Sequence, residues 1–204
     1  MIVRHELCHV LMLLRLNTDD HLIIRCVQKD GNYGEFIQEC TAVLISAYPF
    51  EDRYEFTDLG YGIISNEFRA IVEAIPNVDY AAFVNQDVHG IEDYLDKYID
   101  SDIPPERLFD LMELQTNVYY NFKYVKVDNE DFKAIYQYIA DAYTQNVLKP
   151  NMSYEEIMQI QNNLIDRLNK DVDYTEGLQY TDVIEDEFNE YITMHNIQSN
   201  NLSK

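Results

Sequence analysis

Five consecutive residues, His5-Glu6-Leu7-Cys8-His9, combine the types and the spacing that chemistry needs. On a helix, side chains four positions apart face the same way, so His5 and His9 can aim their imidazoles at one point. Two neutral imidazoles a helical turn apart are a ready pair of zinc ligands. Glu6 stands beside the first histidine, where its carboxylate can reach a metal-bound water without ligating the metal. It can then take that water's proton as a general base and pass it on. The force of the H-E-x-x-H pattern is therefore geometric, and it needs a helix beneath it. A competing reading makes both histidines ordinary, partly buried polar residues of a core helix.

The stretch Ile2-Val3-Arg4-His5-Glu6-Leu7-Cys8-His9-Val10-Leu11 resembles the extended pattern of the zincin metallopeptidases, with uncharged residues between the histidines and apolar residues after the second. The resemblance covers about ten residues and continues weakly into residues 35–49. There the glutamate-type zincins and the prophage-associated ImmA/IrrE-like proteins place a third ligand on a following helix. It implies Zn2+ held by His5, His9 and Glu39, with Glu35 second in line, and Glu6 as the catalytic base. Three protein ligands and one open position for water are what a catalytic zinc requires. The implied activity is a zinc-dependent hydrolase, a peptidase in the first instance.

These residues depend on the elements that carry them. Residues 3–16 place Val3, Leu7, Val10, Leu11 and Leu14 on one helical stripe, with His5, His9, Met12 and Leu16 opposite. A buried strand is the competitor for so apolar a run, and in a strand His5 and His9 stand too far apart for one tetrahedral ion. The spacing predicts a strand over residues 21–27, a helix over 34–47 ended by Pro49, and a short strand over 53–57. Ser65 or Asn66 is expected to cap a helix stopped by Pro76. From residue 90 onward the pattern is helix after helix. One opens at Pro104-Pro105 and one carries Phe132, Ile135, Tyr136, Ile139 and Tyr143 on a stripe. Another starts in the capping box Ser153-Tyr154-Glu155-Glu156, and the last begins at Thr181. The expected fold class is α+β and predominantly helical. A small N-terminal mixed α/β part with a short antiparallel sheet, residues 1–80, precedes an acidic helical part, residues 81–204, packed on it; a single domain is the alternative.

Composition narrows the partners. With 37 acidic against 15 basic residues, the formal charge is -22 and the pI near 4.3. Such a surface repels nucleic-acid phosphates and anionic membranes, so no direct nucleic-acid binding and no membrane association are expected. It suits a protein or peptide with a basic surface. An alternative function follows: a non-enzymatic acidic inhibitor or immunity-type protein that masks a basic or nucleic-acid-binding surface of its partner. The apolar run 10–14 follows His5, Glu6 and His9 and has no small-residue cleavage site after it, which predicts no secretory signal. Three scattered cysteines, without a CxxC pair, fit a reducing cytoplasm.

The remaining candidates are weaker. Cys8 suits a small apolar filler, and His21 an exposed position after a turn. His89 suits a loop, from which an imidazole can also stabilise an oxyanion, and His195 falls at a helix end. Asp19-Asp20 lacks the spacing of a calcium loop, and no glycine-rich phosphate cradle is present. The tyrosines of the helical half fit a core, and their rigid rings among carboxylates also suit recognition of a basic protein.

Overall fold

The computed structural model of the chain describes Cys40, Ala42 and residues 62–80, 88–121, 130–169 and 180–197. These form six α-helices: α1 Gly62–Ala74, α2 Val88–Tyr98, α3 Pro105–Asn121, α4 Lys133–Asn146, α5 Tyr154–Asn169 and α6 Thr181–Met194. A 3-10 turn, Glu130–Phe132, leads into α4. The fold is predominantly helical, and among the described residues there is no strand. The expected short sheet thus finds no support there; its segments, residues 21–27 and 53–57, lie outside the described residues, as does the helix expected over 3–16.

α4 is the axis of the bundle. It packs against α1, α3 and α6, while α5 lies across α6 and α1, and α2 rests on α3. The stripe expected from the sequence is buried, but so are Tyr138, Ala140 and Ala142 on the other side. A helix buried on most of its circumference reads as central rather than amphipathic. Phe188 of α6 meets Tyr143 of α4 with ring centroids 6.5 Å apart, and Phe68 of α1 meets Phe109 of α3 edge-on at the same separation. Cys40 is buried in the same apolar cluster as the packing residues of α1.

Local chemistry sets the helix ends. Pro105 occupies the first position of α3, where its missing N–H costs nothing. The capping box at α5 is formed: Ser153 Oγ accepts the Glu156 N–H at 3.2 Å, and Glu156 Oε2 accepts the Ser153 N–H at 2.7 Å. Two residues past the end of α6, Asn196 has a φ of 53°, which lets the Ile197 N–H reach back to the Ile192 carbonyl at 3.1 Å. α1 begins at Gly62, ahead of both expected caps, Ser65 and Asn66, so these residues and Glu67 are drawn into the helix body.

Side chains of α4 tie down the end of α2. Gln145 receives the Asp100 N–H at 2.8 Å and donates to the Asp100 carbonyl, imitating a strand pair. Asn146 donates to the Tyr98 carbonyl at 2.9 Å. Replacing Gln145 with Ala removes two exposed hydrogen bonds and is expected to cost about 1 kcal/mol, measured by urea unfolding. On the far side of the bundle Glu73 of α1 accepts from both Arg69 and Arg167, and so ties α1 to α5.

Candidate functional site

The most unusual side chain of the bundle is Glu67. It sits on α1 among Phe68, Ile71 and their neighbours and is 0% exposed. A carboxyl group so placed must be paired, protonated or ligating. Its partners come from two other helices. Gln115 of α3 donates from Nε2 to Glu67 Oε1 at 3.0 Å, and the Tyr136 hydroxyl of α4 also hydrogen-bonds the carboxylate. Glu67 Oε2 is equally buried and has no hydrogen-bond partner. Burial pushes the carboxyl up from 4.5 to about 7, against the pull of the Gln115 and Tyr136 hydrogen bonds.

Chemically this is a carboxylate with one oxygen held and the other spare. Tyr136 and Gln115 fix its orientation in the way outer partners fix a metal-binding carboxylate. The spare oxygen can hold a proton, which burial favours up to about pH 7.

A second arrangement lies where α2, the 99–104 loop, α4 and α6 meet. Asp141 of α4 accepts from Ser101 Oγ and, at 3.1 Å, from Gln137 Nε2. Its carboxyl is held above the usual range, first by burial and then by the neighbouring Glu187 and Asp102 carboxylates, while the Ser101 and Gln137 hydrogen bonds pull it back. The Tyr138 hydroxyl is also enclosed. Burial raises it, and the charges of Asp96 and Asp141 add to the rise.

None of the residues singled out for metal chemistry, His5, Glu6, His9 and Glu39, lies among the described residues; nor do Glu35, Cys8, His21 or Asp19-Asp20. The two described histidines have local partners. His89 is exposed on the first turn of α2 with Nδ1 2.7 Å from Glu92 Oε2, so it is a helical residue and not the loop residue expected. His195 stacks on Tyr191 at 4.1 Å and keeps Nδ1 2.9 Å from that residue's carbonyl. Among the described residues no three His, Cys, Asp or Glu side chains are grouped to hold an ion, and no helix is long and apolar enough to cross a membrane.

Glu67 was not singled out from the sequence. The signal it carried was a carboxylate set in the apolar run Phe68, Ala70, Ile71 and Val72, disguised by its closeness to a supposed cap. No protein-family model, curated protein or solved structure matches the chain.

Proposed function

We propose that this chain is a zinc-dependent hydrolase, acting as a cytoplasmic peptidase. The observation that carries the reading is the spacing of His5-Glu6-Leu7-Cys8-His9 with its apolar flanks. His5 and His9 would hold the zinc, and Glu67, ahead of Glu39, would supply the third ligand. Support for Glu67 is its buried, unpartnered Oε2 together with the Tyr136 and Gln115 hydrogen bonds that leave that oxygen spare. The zincin resemblance extends the reading to a short antiparallel sheet over residues 21–27 and 53–57, beside the helix that carries the histidines.

A zinc held there would polarise a substrate carbonyl and acidify a water. The work of the chain is to place groups around that position. Glu6 takes the proton of the attacking water and returns it to the leaving amine. Tyr136 and Gln115 hold the Glu67 carboxylate in one orientation, and their hydrogen bonds would help keep it ionised beside a cation. The helical body, acidic on its outer faces, selects the substrate.

Replacing Glu6 with Gln separates binding from chemistry. The variant is expected to retain zinc while hydrolysis of a quenched-fluorescence peptide library falls by roughly 100-fold or more. Equal hydrolysis by the two proteins, at equal zinc content, would remove Glu6 from the mechanism.

A further inference from the structure

We draw no further inference here: the strongest candidate, the buried side-chain cluster of Glu67, Gln115 and Tyr136 between α1, α3 and α4, in which Glu67 Oε2 and Gln115 Oε1 are without hydrogen-bond partners, belongs to the site already described.

Discussion

In protein stripped of metal by a chelator, replacing Glu67 with Gln is expected to stabilise the fold at about pH 8 by on the order of 3 kcal/mol and to leave it unchanged at about pH 4. The reason is the position of the carboxyl. Unfolded, it releases its proton near 4.5; folded, burial holds the proton until about 7. Between those values the folded chain binds more protons than the unfolded chain, so each rise in pH favours unfolding. Below 4.5 both states are protonated, and burial costs only a neutral group. Above 7 the full penalty applies, at ~1.4 kcal/mol for each unit between the two values. An amide in place of this carboxyl cannot ionise and escapes the penalty. The variant keeps an oxygen for the Gln115 and Tyr136 hydrogen bonds, so packing is not disturbed. Urea unfolding of both proteins across this range measures the difference, which isolates Glu67 from the other carboxylates. A difference that stays flat with pH would contradict the buried, unpartnered carboxyl. With zinc added the sign is expected to reverse, because the wild type gains a ligand-linked stabilisation that the variant lacks.

Truncating Phe188 to Ala is expected to cost about 3–5 kcal/mol. Phe188 is fully buried on α6 against Tyr143 of α4, at the contact that joins the last helix to the axis of the bundle. Ile184 and Tyr191, one turn to either side, bury on the same face and keep the surrounding helices from closing the gap. For a chain of this size the loss corresponds to roughly 10 °C in melting temperature. The exposed Leu114 is the internal comparison: 43% exposed, its replacement by Ala is expected to change stability by less than about 0.5 kcal/mol. A Phe188→Ala protein that melts with the wild type would mean that α6 is not part of the cooperative core.

What could be read from the sequence was local. Ser153 and Glu156 form their capping box, Pro105 opens α3 and Thr181 opens α6, because each signal is complete within four residues. The stripe of α4 was legible for the same reason, since helical spacing needs only the helix itself. Its second buried side was not, because Tyr138, Ala140 and Ala142 are covered by neighbours that only the tertiary fold supplies. Glu67 was hidden by a boundary. Starting α1 at Asn66 places Glu67 in a solvated first turn, where an acidic residue is ordinary; starting it at Gly62 places the same residue inside the bundle. The Asp96, Asp102, Asp141 and Glu187 junction has no sequence signature at all, because 91 positions separate Asp96 from Glu187 along the chain. The motif was the reverse case. His5, Glu6 and His9 are legible as candidate chemistry from spacing alone, whereas a third ligand for the proposed zinc has no such local pattern.

That third ligand gives the most direct test of the zinc reading. Metal content by inductively coupled plasma mass spectrometry, on the wild type and on the His5→Ala, Glu67→Gln and Glu39→Gln variants, addresses it in one series. About one zinc per chain is expected in the wild type, with little in His5→Ala and Glu67→Gln and near wild-type content in Glu39→Gln. Zinc lost with Glu39 and kept with Glu67 would return the third position to Glu39. A wild type without stoichiometric zinc, or a His5→Ala variant with the same content, would contradict the account.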